Sequence, residues 1–70
     1  MAYTVFTETL VYYTLMTDDG NYYNSLSLSM QGPLVNCELI PTISQVKELQ
    51  KQYPQFKHIR KIKVIDIGEV

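Results

Sequence analysis

The sequence predicts an α+β fold: an antiparallel sheet of three or four strands in the order β-β-β-α-β, with one helix packed on one face. Three stretches predict it. Residues 42–53 have the period of an amphipathic helix, residues 18–21 form a tight-turn sequence after a Thr/Tyr/Val-rich stretch, and residues 59–67 are rich in Ile, Val and Lys. A small sheet needs a cover for its apolar face, and one helix is available. Residues 1–70 are expected to form a single domain.

The helix has both a start signal and a stop signal. Thr42 is a favoured N-cap, and Gln45 follows at the capping-box spacing, in which each side chain satisfies the other residue's free backbone N–H. Apolar residues then recur at steps of three and four, namely Ile43, Val46, Leu49 and Tyr53. Pro54 ends the helix. Three turns are too short to be stable alone, so the apolar stripe must dock on the strands.

A β-hairpin is predicted before the helix. Residues 3–16 are dense in Thr, Tyr, Val and Phe, and their length favours a bend near residues 7–9. The sequence Asp18-Asp19-Gly20-Asn21 is a tight turn in which Gly20 supplies a positive φ. Residues 22–30 alternate between larger side chains and serines, which predicts a second strand with one wet face.

Two more strands are expected on either side of the helix. Residues 34–40, LVNCELI, lie between two prolines and predict a short third strand. Residues 59–67, IRKIKVIDI, predict the last strand, which can pair with the first and place it inside the sheet. Its apolar pattern changes phase midway, which predicts either burial on both faces near its end or a bulge.

Seventy residues form a marginal core, and Cys37 as the single cysteine allows no internal disulfide. Self-association or a partner is therefore expected more often than for a larger domain, and we weigh a homodimer and a monomer equally. One cysteine and no charged, apolar leader predict a cytoplasmic protein. No apolar run approaches the ~20 residues of a membrane helix, so no membrane contact is expected.

The charges are segregated along the chain. Residues 1–46 hold four carboxylates and no Lys or Arg, whereas residues 47–70 hold all six Lys and Arg with three carboxylates. The basic segment 57–63 is a candidate phosphate-binding edge, extended by Lys47 and Lys51 of the helix; its candidate contacts are Lys57, Arg60, Lys61 and Lys63. An ordinary solvated face is the more favoured interpretation, because the acidic pI of 5.6 and the acidic hairpin oppose nucleic acid.

Four tyrosines flank the predicted hairpin turn close to cross-strand register: Tyr12, Tyr13, Tyr22 and Tyr23. One of each pair should lie in the core and one should be exposed. Exposed tyrosines are effective anchors in protein interfaces because they bury a large area at little entropic cost. Plain β propensity with cross-strand aromatic pairing explains them equally well.

The residues that carry chemistry do not combine into a catalytic or metal site. Cys37 and His58 would have to meet for nucleophilic catalysis, and nothing in their spacing supports this. The oxygens of Asp18, Asp19 and Asn21 lack the further ligands of a calcium loop. We therefore expect no enzyme activity, no metal and no cofactor.

The layout resembles the small accessory proteins encoded by phages and prophages of Gram-positive bacteria. The residues that carry the resemblance are the turn sequence TDDGNYYN at 17–24 and the closing sequence KIKVIDIGEV at 61–70. The resemblance implies a non-enzymatic cytoplasmic protein that binds a host protein or nucleic acid. Together with the residues themselves, it predicts an interaction protein that uses a Tyr-rich hairpin or a sheet edge, with nucleic-acid binding by residues 57–63 as the alternative.

Overall fold

The structure is a computed structural model that describes residues 9–69, and of Thr9 only the backbone. These residues form a four-stranded antiparallel sheet in the order β3-β2-β1-β4, with one helix, α1, packed on one face. The bounds are β1 Thr9–Met16, β2 Tyr22–Tyr23, β3 Gln31–Gly32, α1 Ile43–Gln52 and β4 His58–Ile65. The predicted α+β class is confirmed. The first six residues of the predicted strand 3–16, and most of its expected bend, lie outside the described residues.

The pairing of β1 with β4 is the longest contact of the sheet. It runs without interruption from Thr9 opposite Ile65 to Met16 opposite His58. The prediction that the last strand pairs with the first and places it inside the sheet is confirmed. The change in the apolar pattern of β4 predicted either burial on both faces near its end or a bulge, and both predictions are wrong. The register has no bulge, and the far end of β4 is exposed on both faces at Val64 and Ile65.

The predicted tight turn follows β1. The Thr17 N–H donates to the Asn21 carbonyl at 2.8 Å, the Gly20 N–H donates to the Thr17 carbonyl at 3.1 Å, and Gly20 has a φ of +84°. A residue with a Cβ would be strained at that φ. Strand β2 follows, with Tyr22 opposite Met16.

The second strand is much shorter than predicted. It ends at Tyr23, and residues 24–30 form consecutive turns. Asn24 Oδ1 accepts the N–H of Leu26, and the hydroxyls of Ser27 and Ser29 both donate to the Gln31 carbonyl. The prediction of a strand over 22–30 was wrong because these short polar side chains bond the nearby backbone and so compete with a sheet ladder.

The predicted strand over 34–40 was also wrong. Residues Leu34–Asn36 form one turn of 3-10 helix after Pro33, whose carbonyl accepts the Asn36 N–H at 3.0 Å. Of that stretch Ile40 alone pairs with β1, through two hydrogen bonds with Tyr13 of 2.8 and 2.7 Å. The third strand of the sheet is instead β3, the two residues before Pro33.

Helix α1 starts and stops where the sequence indicates. The Thr42 Oγ1 accepts the Gln45 N–H at 3.3 Å, and the helix ends before Tyr53 and Pro54. In the expected capping box the Gln45 side chain would accept the backbone N–H of Thr42. Instead, Gln45 Oε1 accepts the hydroxyl of Thr42 at 2.9 Å. Val46 is fully buried, whereas Ile43, expected on the same stripe, remains largely exposed.

We expect the substitution Thr42→Ala to lower the free energy of unfolding by about 1 kcal/mol, because the Gln45 N–H loses its acceptor. Urea denaturation followed by circular dichroism measures this change. Ser44→Ala is the matched control, since Ser44 lies in the same turn but does not accept the Gln45 N–H. Equal stabilities of the two variants would contradict the assigned cap.

The core lies between α1 and one face of the sheet, here called the helix face. Its buried apolar residues, within the described chain, are Leu15, Tyr23, Ile40, Val46 and Phe56. The ring of Tyr23 meets Phe56 edge-on with centroids 5.4 Å apart and lies 5.8 Å from Tyr53. Gln50 Nε2 donates to the Phe56 carbonyl at 3.0 Å and fixes the connection below the helix. The opposite side of the sheet is here called the open face.

The molecule is elongated. Its Cα radius of gyration is 14.9 Å, whereas a compact chain of this length has about 11 Å. The core gathers at the Leu15 end of β1, near the Tyr22–Tyr23 strand and the start of β4. The paired strands β1 and β4 continue well beyond it.

Candidate functional site

The tyrosines do not form the predicted exposed cluster. Tyr23 is buried in the core and Tyr13 packs against it. The register places Tyr12 opposite Ile62 and Tyr22 opposite Met16, so the two tyrosine pairs do not face each other across the hairpin. Tyr12 and Tyr22 lie on the open face, where both are half-buried. The prediction of one core tyrosine in each pair is confirmed for Tyr23, whereas Tyr13 is only partly buried and packs against the core. The predicted close register and the predicted exposure of the other tyrosine in each pair are wrong.

The basic segment is divided between the two faces of the sheet. Arg60 lies on the open face, whereas Lys61 and Lys63 alternate with it onto the helix face. Lys57, just before β4, pairs with Asp18. On the helix surface Lys51 pairs with Glu48 at 3.1 Å, and Lys47 is exposed. This distribution does not present one continuous cationic surface.

Asp18, in the turn between β1 and β2, meets two side chains from the beginning of β4. Its Oδ1 is 2.7 Å from His58 Nε2, and its Oδ2 is 3.2 Å from Lys57 Nζ. The hydrogen bond from His58 and then that from Lys57 lower the pKa of Asp18 below its usual value of 3.8. The Asp18 carboxylate therefore ties the hairpin turn to the chain that follows α1.

We expect an NMR titration to place the pKa of Asp18 below 3.8 in the folded protein. Because the folded value is the lower one, these contacts stabilise the fold above the unfolded pKa. Their contribution is lost as the pH falls through the folded pKa. The double substitution Lys57→Ala, His58→Ala removes both donors and should return the pKa toward 3.8, and Lys51→Ala should leave it lowered. An unchanged pKa in the double variant would refute the contact.

Cys37 and His58 do not form a catalytic pair in the structure. Cys37 lies beyond the 3-10 turn on the β2 side of β1, where Glu38 donates its N–H to the Tyr23 carbonyl at 2.9 Å. His58 lies on β4, at the other side of β1, against Asp18. Burial raises the pKa of the Cys37 thiol, which disfavours the nucleophilic thiolate.

The far ends of β1 and β4 form an apolar surface that the core does not cover, here called the arm. It consists of residues 9–12 of β1 and 62–65 of β4. Leu10 and Val64 lie opposite each other on the open face, and Val11 and Ile65 lie on the helix face; each is 38–44% exposed. A two-stranded ribbon without a cover is marginally stable in water. The arm is therefore a candidate contact surface.

The outer edge of β4 has no strand partner in the described part of the chain. The backbone groups of Tyr13 bond Ile40, which lies on the side of β1 away from β4. Tyr13 and its partner Lys61 are thus a non-hydrogen-bonded pair. It follows that Ile59, Lys61, Lys63 and Ile65 direct their N–H and C=O groups outward, ready to accept another strand.

A second exposed surface, which the sequence pattern misassigned, lies in the turns at 24–30. Leu26 is 92% exposed and Leu28 is fully exposed. Hydrogen bonds hold this segment on both sides: the Asn24 N–H donates to the Met30 carbonyl at 3.0 Å, and the Ser25 hydroxyl bonds the Glu38 carboxylate. The alternation of these leucines with serines predicted one face of a strand. The many short polar residues of the same segment favour turns, and this was the signal that the alternation concealed.

Between residues 9 and 69 no cluster of three or more His, Cys, Asp or Glu side chains is placed to bind a metal ion. No helix in that range is long and apolar enough to span a bilayer.

Comparison with known proteins adds no relative. No protein-family model matches the chain, and neither the curated proteins nor the solved structures contain a match to it.

Proposed function

We propose that this protein is a non-enzymatic interaction protein that binds another protein chain by strand addition at the outer edge of β4. The free edge of β4 carries this proposal. Four residues direct unpaired backbone groups outward, and apolar side chains of the arm flank them on both faces of the sheet. In strand addition, backbone hydrogen bonds provide affinity and alternating side chains provide specificity.

The sheet edge is favoured over the tyrosine hairpin as the contact surface. Tyr13 and Tyr23 already contribute to the core, so they cannot anchor a partner without disturbing the fold. The arm, by contrast, exposes Leu10, Val11, Val64 and Ile65, whose burial in a complex would be favourable. Tyr12, the last β1 residue of the arm, lies on the open face and adds its half-buried ring to this surface.

Nucleic-acid binding is less well supported. The cationic side chains divide between two faces, and Lys57 is engaged by Asp18. If nucleic acid were the partner, binding would fall steeply with salt concentration and would depend on Arg60, Lys61 and Lys63 together. A gel shift at low salt without retardation would remove this alternative.

The substitution Lys63→Pro tests strand addition at the edge. The Lys63 N–H points outward, so proline removes a donor from the free edge without removing a hydrogen bond between β1 and β4. The matched control is Lys63→Ala, which removes the same charge but retains the N–H. Both variants should fold with the wild-type circular dichroism spectrum.

The wild type and the two variants are then immobilised, and the protein chains that each one retains, whether copies of this protein or others, are compared. We expect Lys63→Pro to lose the retained chains and Lys63→Ala to keep them. If a folded Lys63→Pro variant retains every chain that the wild type retains, strand addition at this edge is refuted. If both variants lose them alike, the lysine charge and not the edge is responsible.

A further inference from the structure

We infer that the strand added to β4 is β4 of a second copy, so that two molecules join edge to edge about a two-fold axis at Lys63. This inference rests on the proposed function and names its partner. The result is a continuous antiparallel sheet of eight strands, four from each copy. Two features support this inference. The odd-numbered residues of β4 direct their backbone groups outward, and one pairing of these residues also brings complementary side chains together.

Symmetry limits the registers that are available. A two-fold axis perpendicular to the sheet keeps the helix face of one copy beside the helix face of the other. Directly opposed residues share a face in an antiparallel pair, so each residue must meet a residue of the same parity. The outward-pointing residues are the odd-numbered ones, so Lys63 opposite Lys63 and Lys61 opposite Ile65 become the hydrogen-bonded pairs.

The register centred on Lys63 gives complementary pairs on the open face. Arg60 of each copy lies opposite Asp66 of the second copy, and Ile62 lies opposite Val64. These are non-hydrogen-bonded pairs, in which side chains approach most closely. Each contact occurs twice by symmetry. Arg60, Val64 and Asp66 are all exposed in the single chain. Asp66 Oδ1 accepts the Gly68 N–H at 2.9 Å, which leaves Asp66 Oδ2 for the contact with Arg60.

The same register accounts for an exposed apolar residue beyond β4. Ile67 is 90% exposed in the single chain, and the pairing places it opposite Ile59 of the second copy. Residues 66 and 67 would then extend β4. Gly68, with a φ of +103°, ends the extended stretch, so the contact stops there.

Neighbouring registers lack these pairs. Centring the axis on Ile62 sets Lys61 opposite Lys63 and leaves Arg60 opposite Val64. Centring it on Val64 sets Asp66 opposite Ile62 and Arg60 opposite Gly68. Opposed like charges destabilise a cross-strand pair and opposed unlike charges stabilise it. The one unfavourable pair in the Lys63 register is Lys63 against itself on the axis, on the helix face.

Charge exchange tests the pairing of Arg60 with Asp66. Sedimentation equilibrium on the wild type should show a concentration-dependent dimer. Arg60→Asp and Asp66→Arg should each weaken dimerisation by about tenfold, because two symmetric pairs become repulsive. The double variant Arg60→Asp, Asp66→Arg should recover to within about threefold of the wild type. Lys63→Thr should strengthen the dimer by removing the repulsion on the axis.

A disulfide reports the register directly. In a Cys37→Ser background, an equal mixture of the single variants Ile62→Cys and Val64→Cys should form a covalent heterodimer on mild oxidation, because the Lys63 register sets these two residues opposite each other with a Cα separation within disulfide range. Each single variant oxidised alone is the control, since Ile62→Cys meets itself in the register centred on Ile62 and Val64→Cys meets itself in the register centred on Val64. Covalent homodimers of either variant in place of the heterodimer would overturn the Lys63 register.

The two proposals fail in distinguishable ways. A wild-type protein that is monomeric at every concentration overturns the second copy as partner. If Lys63→Pro still abolishes retention of another chain in that case, strand addition at the edge stands and only the identity of the partner is wrong. A dimer that survives Lys63→Pro and both charge substitutions also overturns the second copy as the strand added to β4, and strand addition itself falls if Lys63→Pro retains every other chain as well.

Discussion

The substitution Phe56→Ala is expected to lower the free energy of unfolding by about 3–5 kcal/mol. Phe56 is fully buried, meets the ring of Tyr23 edge-on and lies beneath the connection from α1 to β4. Truncation removes its apolar contacts and leaves a cavity that the backbone, held by Gln50, closes poorly. A domain of this size has a total stability of about 4–10 kcal/mol, so much of the protein should unfold.

Urea denaturation followed by far-ultraviolet circular dichroism measures the loss. The matched control is Leu28→Ala, which shortens an equally apolar side chain that is fully exposed. Its stability should stay within about 0.5 kcal/mol of the wild type. If Phe56→Ala lost no more stability than the control, Phe56 would not be a core residue and the packing of α1 would have to be revised.

The substitution Thr14→Val is expected to raise the free energy of unfolding by about 1–2 kcal/mol. Thr14 is fully buried near the middle of β1, and its Oγ1 has no hydrogen-bond partner within the described structure. A buried hydroxyl without a partner loses its hydration and gains nothing in return. Valine replaces the hydroxyl by a methyl group of similar shape and favours the strand conformation.

Thermal and urea unfolding of Thr14→Val and Thr14→Ser separate the roles of the two groups on Cβ. Serine keeps the hydroxyl and removes the methyl group, so it should be less stable than the wild type by about 1 kcal/mol. The expected order of stability is valine, threonine, serine. A valine variant less stable than the wild type would show that the hydroxyl has a favourable contact.

The helix and the first turn were predictable because their signals are local. Thr42 satisfies a free N–H three residues ahead, Pro54 stops the helix, and Gly20 adopts a positive φ. Each depends on neighbours within one turn of chain, which the sequence lists in order. The pairing of the first and last strands also followed, since a helix between two strands leaves few other arrangements.

The strands at 22–30 and 34–40 were mispredicted because alternation is an ambiguous signal. An alternating Ser/Leu run fits a half-wet strand, but its hydroxyls also bond the adjacent backbone, and here the local bonds prevail. Strand β2 ends after two residues, so there is no long partner on that side of β1. Leu26 and Leu28 are exposed because these local hydrogen bonds hold the segment in turns and not in a strand of the sheet.

By itself, the sequence determined the fold class, the helix and its cap, the tight turn and the presence of a basic segment. The tertiary structure alone decided which face each side chain occupies. The register of β1 against β4 sends Arg60 to one face and Lys61 to the other, and the pairing of β2 with β1 places Tyr23 inside. The physical reason is that strand side chains alternate with a period of two, so their surroundings depend on a pairing that joins residues some fifty positions apart.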